Sequence, residues 1–247
     1  MEIITSTQNT RVKRIVSLKS AKGRDAEGVF FAEGVKILSD NKDRILELFI
    51  REDKLDEYVP IFPDVPVVSV TEAVFQKMSD TDTPQGILGT FRIPEGDFPS
   101  GRRILVLDGV QDPGNVGALI RTAVAAGLDG VVAVDSASPY SPKAVRASMG
   151  GVFRTVIARA TREEALSRLA GRTVVVLDMG GENLFNARVD GDFALVVGSE
   201  GRGLSEAFRS RADRVLALPM AGGIESLNAA VSAGIAMYNL SEFNKEI

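Results

Sequence analysis

Three times in its second half the chain runs from a short Val/Leu-rich stretch into a Gly- or Pro-rich loop and then into a polar helix start. The three are Ile104-Leu-Val-Leu-Asp-Gly-Val-Gln-Asp-Pro-Gly-Asn115, Leu195-Val-Val-Gly-Ser-Glu-Gly-Arg-Gly-Leu204 and Arg214-Val-Leu-Ala-Leu-Pro-Met-Ala-Gly-Gly-Ile-Glu-Ser-Leu-Asn228. Apolar runs without alternation read as strands buried on both faces of a parallel sheet. Open α/β sheets bind ligands beyond the carboxyl ends of such strands. The three loops therefore predict one composite site, made of backbone amides and of Asn115, Arg121, Glu200, Ser226 and Asn228. Arg121 lies off the apolar stripe of its helix, which is formed by Val116, Leu119, Ile120, Ala123 and Val124 at helical spacing.

Composition narrows the chemistry. The chain has 247 residues, no Cys and no His. Disulfides, thiol catalysis, a His-based serine triad and a Cys- or His-ligated metal site are excluded, and no metal is expected. A Gly-x4-Gly-Lys-Ser/Thr loop is missing, and the first strand–helix turn lacks the Gly-x-Gly-x-x-Gly order, so neither a P-loop nor an ordinary dinucleotide fingerprint is present. No stretch approaches a membrane span, and the first residues lack the order of a signal peptide, so a cytoplasmic location is expected.

Net charge is −4, yet residues 1–24 hold Arg11, Lys13, Arg14, Lys19, Lys22 and Arg24 against Glu2 alone. Such a segment fits an arm that contacts phosphates. It fits equally an amphipathic helix burying Val12, Ile15, Val16 and Leu18, and both readings stand.

Strands alternating with short helices predict a small α/β domain over 1–93. The elements expected there are a helix at 9–20 capped by Asn9 or Thr10, strands at 28–32, 45–50, 65–70 and 86–91, and a helix from Glu72 to Met78. Residues 94–101, rich in Pro and Gly, read as a linker. A larger α/β domain follows over 102–247. It is predicted to have strands at 104–107, 130–134, 152–158, 173–177, 193–197 and 215–218. Its helices are expected at 115–126, from Ser141-Pro142, from the capping box Thr161-Arg-Glu-Glu164 and, rich in small residues, from Glu225 to Phe243.

The residues then carry a resemblance. Asp112-Pro-Gly-Asn-Val-Gly-Ala-Leu-Ile-Arg-Thr-Ala123, Val197-Gly-Ser-Glu-Gly-Arg-Gly-Leu204 and Leu218-Pro-Met-Ala-Gly-Gly-Ile-Glu-Ser-Leu-Asn228 resemble, in order, the three motifs of the SpoU/TrmH family of SPOUT methyltransferases. Ser141-Pro-Lys-Ala-Val-Arg-Ala-Ser-Met-Gly150 is similar to a further stretch of that family. Gly28-Val-Phe-Phe-Ala-Glu-Gly34 and Thr83-Pro-Gln-Gly86 resemble, less specifically, its L30e-like substrate-binding domain. Leu218 stands where Ile is common, and Ala229-Ala230 where Val-Ser is frequent.

The resemblance implies a knotted, parallel-sheet SPOUT catalytic domain behind a smaller L30e-like α/β domain. It implies transfer of a methyl group from S-adenosylmethionine to a ribose 2′-hydroxyl of RNA, with 23S ribosomal RNA first and transfer RNA as the alternative, by a homodimer paired through the last helix. A non-catalytic RNA-binding protein on the same fold is the contrasting reading. By the resemblance Asn115, Arg121, Glu200, Ser226 and Asn228 are the catalytic set. Gly198, Ser199, Glu200, Gly201, Leu218, Met220, Ser226 and Leu227 hold the cofactor. Arg121 is the residue proposed to activate the hydroxyl. A guanidinium holds its proton too tightly to be a good base. Stabilising alkoxide charge and binding RNA phosphate suit Arg121 better, and Glu200 is expected to brace the loops. Lys143 and Arg146 are candidate RNA contacts.

Overall fold

The structure, a computed structural model, describes residues 2–222 and 226–241. The chain divides into two compact units. One is Met1–Pro94 with Tyr140–Arg146, and the other is Glu95–Pro139 with Ala147–Ile247.

The first unit is built on five strands: β1 (Ile3–Ile4), β2 (Val29–Glu33), β3 (Glu47–Arg51), β4 (Val67–Val70) and β5 (Ile87–Arg92). They lie in the order β1-β4-β3-β5-β2. β4 runs parallel to β1 and β3, whereas β5 runs antiparallel to β3 and β2. Pro66 stands just before β4, so the strand keeps all its N–H donors and sits inside the sheet rather than at its edge. Helices Thr10–Ser17 and Glu72–Met78 bury Val12, Ile15, Val74, Phe75 and Met78 against Phe31, Phe49 and Leu88.

The basic segment is thus folded structure. Asn9, not Thr10, caps its helix by accepting from the Arg11 N–H at 2.9 Å. The helix stops at Ser17, and a second one, Ala21–Glu27, starts behind the Ser20 cap, which the sequence reading missed. Several of the cations have internal work. Arg24 is buried and donates to the carbonyls of Leu18 and Lys19 at 2.8 and 2.9 Å. Lys19 donates to the carbonyls of Lys77 and Ser79. Arg14 pairs with Glu27, and Arg11 with Glu47.

The second unit has six strands: β6 (Arg103–Asp108), β7 (Gly130–Val134), β8 (Val156–Ala160), β9 (Thr173–Asn183), β10 (Phe193–Gly198) and β11 (Arg214–Ala217). All are parallel, in the order β11-β9-β10-β6-β7-β8. From β6 the chain winds outward through β7 and β8, and the later strands fill the other side. The order reverses between β6 and β10, and their carboxyl ends open a crevice there. One face packs Val106, Val132, Val176 and Val196 against Leu204 and Phe208. The helices Pro113–Ala125 and Ala229–Asn239 pack on each other, and the latter also lies on β10.

The linker 94–101 starts where the two units divide, and its Phe98 packs against the second unit's core beneath Arg168. Several elements depart from expectation. Residues 151–153 form a 3-10 turn, and β8 starts at Val156. β9 is eleven residues long, because β11 pairs with it in two registers. Val215 sits opposite Val176 and Leu216 opposite Glu182, so residues 177–181 bow out of the ladder. The last helix starts at Ala229, because the Asn228 side chain accepts from the N–H groups of Ala230 and Val231 and caps it. The expected span of that helix, Glu225–Phe243, has its first residue and its last two, 242 and 243, outside the described residues.

Asp213, at the start of β11, accepts from the Val174 N–H and from Arg211, both at 2.8 Å. The backbone donor first and the guanidinium second hold its carboxyl below the usual carboxylate range. A depressed folded pKa contributes stability that is present above the unfolded value and lost as pH falls through the folded one. Asp213→Asn is therefore expected to lower the melting temperature at neutral pH, with the gap to wild type closing below about pH 4 in a pH series of thermal melts. A gap that stays constant down to acid pH would contradict this.

Candidate active site

The turn after β10 is tight. Ser199 and Gly203 exchange backbone hydrogen bonds of 3.0 and 2.8 Å and leave Glu200 at the tip. The closure depends on Gly198: a Cβ there would lie 2.4 Å from the Gly203 carbonyl, so any other residue forces the turn open.

Two further loops converge on Glu200. Asp112 caps the helix Pro113–Ala125 by accepting from the Asn115 N–H at 2.9 Å. That cap places Asn115 on the first turn, where its Nδ2 donates to Glu200 Oε1 at 2.8 Å. Asn228 Nδ2 donates to the same oxygen at 2.5 Å and to Asn115 Oδ1 at 3.2 Å. Because Asn228 Oδ1 is held by two backbone donors, its amide can face Glu200 only with the nitrogen. One carboxylate oxygen thus joins loops that are 85 and 28 residues away in sequence.

Beside this junction lies a cavity of about 430 Å³. Gly198, Ser199 and Glu200 form one side, and Leu218, Met220, Ser226 and Leu227 another. These are seven of the eight residues expected to hold a cofactor. Gly201 is the exception: it lies past the tip of the turn and lines a separate concavity with Asp108 and Arg162. Leu177, Asp178 and Met179, from the outward bow of β9, complete the wall and were missed. Their signal was present, since Thr173-Val-Val-Val-Leu-Asp-Met-Gly-Gly181 repeats the strand-then-glycine design of the other loops.

The cavity has the size of a small-molecule site. Its walls are largely apolar, it has two carboxylates in Asp178 and Glu200, and no Lys or Arg among the described residues lines it. Among the described residues no lining Lys or Arg is available to pair with a phosphate. A nucleoside carrying positive charge does find partners there, and S-adenosylmethionine, with its sulfonium and ammonium groups, fits that donor set.

Arg121 lies outside the cavity. It is exposed on the helix Pro113–Ala125, and among the described residues its side chain makes no hydrogen bond or ion pair. Its backbone is backed by Gly151, where a Cβ would come within 3.3 Å of the Arg121 Cα. The side chain is fixed at its root and free at its tip.

Sequence reasoning also overlooked Asp108. Buried at the end of β6, it accepts from the Ser205 N–H at 2.6 Å and from Arg162, which also reaches Asp135 at 2.9 Å. The bond ties β6 to the chain leaving the Glu200 turn. Asp108→Ala is expected to cost about 2–3 kcal/mol in chemical denaturation, since it strands a buried N–H and one side of Arg162. A change below about 0.5 kcal/mol would remove Asp108 from the framework of the site.

Residues 102–238 match the model of the SpoU rRNA methylase family. The chain belongs to this family. Residues 9–89 match the MRM3-like substrate binding domain. The chain is 32% identical over 246 residues to the 23S rRNA (guanosine(2553)-2′-O)-methyltransferase RlmP of Bacillus subtilis, covering 97% of this chain and 99% of the relative. It is 31% identical over 192 residues to the 23S rRNA (adenosine(1067)-2′-O)-methyltransferase of Streptomyces azureus, covering 73% of this chain and 71% of the relative. Among solved structures, an AdoMet-bound rRNA methyltransferase from Sinorhizobium meliloti superposes with a TM-score of 0.84 at 32% identity, covering 96% of each chain. The α/β architecture with a parallel catalytic sheet is that of the family.

Proposed function

We propose that this SpoU-family enzyme transfers a methyl group from S-adenosylmethionine to a ribose 2′-hydroxyl of 23S ribosomal RNA. The observation that carries the reading is the joining of Asn115, Glu200 and Asn228 beside a largely apolar cavity whose described lining holds Glu200 and the Arg209-paired Asp178 and no Lys or Arg. Bound there, S-adenosylmethionine supplies a methyl group on a good leaving group, so the protein's task is mainly positioning.

Glu200 braces the three loops, and Gly198, Ser199, Leu218, Met220, Ser226 and Leu227 contour the pocket. Asn115 and Asn228 hold Glu200 and each other. Arg121 takes the RNA: its unpaired guanidinium stabilises negative charge growing on the ribose oxygen and binds a neighbouring phosphate. With no His in the chain, no imidazole serves as base. Relatives modify both guanosine and adenosine, so the fold does not dictate the base.

Two structural features belong to the same proposal. One is a trefoil knot in the last third of the chain, supported by the family membership and by the two-register crossing of β11 on β9. The other is a homodimer, supported by Val231 and Tyr238, which stand exposed two turns apart on the last helix. Among the described residues no helix is long and apolar enough to cross a membrane, and no cluster of His, Cys, Asp and Glu could hold a metal ion.

Calorimetry with S-adenosylmethionine separates this reading from a non-catalytic RNA binder, which has no affinity for it. Mapping 2′-O-methyl groups on ribosomal and transfer RNA from cells with and without the gene identifies the substrate. Loss of a transfer-RNA mark alone would replace ribosomal RNA in the proposal.

A further inference from the structure

The first unit has a cavity of its own, of about 260 Å³, which the transfer chemistry leaves unused. It gathers residues from the three stretches outside the main motifs whose sequence resembled the family: Glu33-Gly34 at the end of β2, Thr83 and Gln85, and the short segment Pro142–Arg146.

Its polar side is oriented. Gln85 Oε1 accepts from the Val35 N–H at 3.0 Å. A backbone N–H only donates, so the amide is fixed with Nε2 turned away from Val35. Nε2 and the Thr83 hydroxyl have no partner among the described residues. Glu33 is fully engaged, accepting from the Asp80 N–H at 2.8 Å and the Ser79 hydroxyl at 2.5 Å, so it shapes the loop and reads nothing. Ile37, Pro142 and Val145 supply apolar walls. Arg146 donates one N–H to Asp80 at 3.2 Å, which leaves the rest of its fork free.

These features define the occupant. The cavity is smaller than sites that take whole drug-sized ligands, and it suits a single flat heterocycle. Unpartnered donors among the lining residues call for an acceptor on its edge, and the guanidinium of Arg146 in the same lining favours an anionic linkage beside it. Proteins read RNA mostly through unpaired bases splayed into such pockets. We propose that this cavity holds one unpaired nucleobase of the RNA substrate, with Gln85 Nε2 donating to a base carbonyl and Arg146 facing the adjoining phosphate. The proposal rests on the reading that the chain acts on RNA.

The test uses the full chain, an unmodified 23S rRNA transcript, and binding measured separately from methyl transfer. Gln85→Glu keeps the oxygen that Val35 needs and replaces the unpartnered donor with an acceptor. It is expected to raise the Kd and the KM for the transcript about tenfold, with kcat at saturating RNA, affinity for S-adenosylmethionine and melting temperature unchanged. Ile37→Trp fills the cavity from its wall and is expected to give the same loss. Wild-type affinity in both variants overturns the pocket while leaving the methyltransferase reading intact. Should the wild type bind the transcript and transfer no methyl, a weakened Gln85→Glu complex still supports the pocket, and only the activity falls.

Discussion

Arg121→Ala is expected to slow methyl transfer about a thousandfold at saturating RNA, with affinity for S-adenosylmethionine changed by less than about twofold. The split follows from geometry. Arg121 does not line the cofactor cavity and has no partner among the described residues, so truncating it removes no bond that holds the pocket together. On the proposed mechanism, what is lost is a donor for charge that develops only as the hydroxyl attacks. Arg121→Lys should restore part of the rate, because an ammonium keeps the charge and loses the fork. Stopped-flow or single-turnover assays with calorimetry measure both quantities. A marked loss of cofactor affinity in Arg121→Ala would place the side chain on the cofactor side of the site.

Glu200→Ala is expected to fail differently. It removes the oxygen that both Asn115 and Asn228 bond, so the three loops lose their common anchor. Cofactor Kd should rise about tenfold and kcat/KM fall about a hundredfold. Glu200→Gln is the discriminating control. Its amide oxygen still accepts from both asparagines, so a bracing role predicts that most of the activity returns. If Glu200→Gln is as damaged as the alanine variant, the carboxylate acts through its charge on the cofactor or the substrate rather than as a brace.

The α/β class with its parallel sheet was legible in the sequence, and so was the convergence of three loops; the order and registers of the strands were not. Asn115, Glu200 and Asn228 announce themselves because each is a polar residue in a glycine- or proline-rich loop at a strand end, a place where packing has no use for it. The capping box at Thr161 was legible for a similar reason: both of its hydrogen bonds are local, and both form. Periodicity has no information on strand order, so the meeting of β6 and β10 at the reversal of the sheet had to come from the structure. Nor does it report pairing registers, which is why the bow at residues 177–181 and its contribution of Asp178 and Met179 to the cavity went unseen.

Asp108 was hidden by its neighbours. At the end of an apolar strand it reads as the strand's polar stop, whereas its partners Ser205 and Arg162 lie 97 and 54 residues away. The segment Tyr140–Arg146 misled in another way. It sits between elements of the second unit in sequence, yet it packs with the first. The excess of cations in residues 1–24 left a phosphate-contacting arm and an amphipathic helix equally open, because charge counts ignore carbonyl oxygens. Lys19 and Arg24 spend their donors on backbone carbonyls of their own unit.

Ribose methylation itself is best probed by incubating the protein with methyl-labelled S-adenosylmethionine and unmodified ribosomal RNA, then digesting the product with a nuclease that needs a free 2′-hydroxyl. The expected product is label in a single resistant dinucleotide methylated on ribose. Label recovered only on a free base, or no transfer to ribosomal RNA at all, would refute the proposed activity.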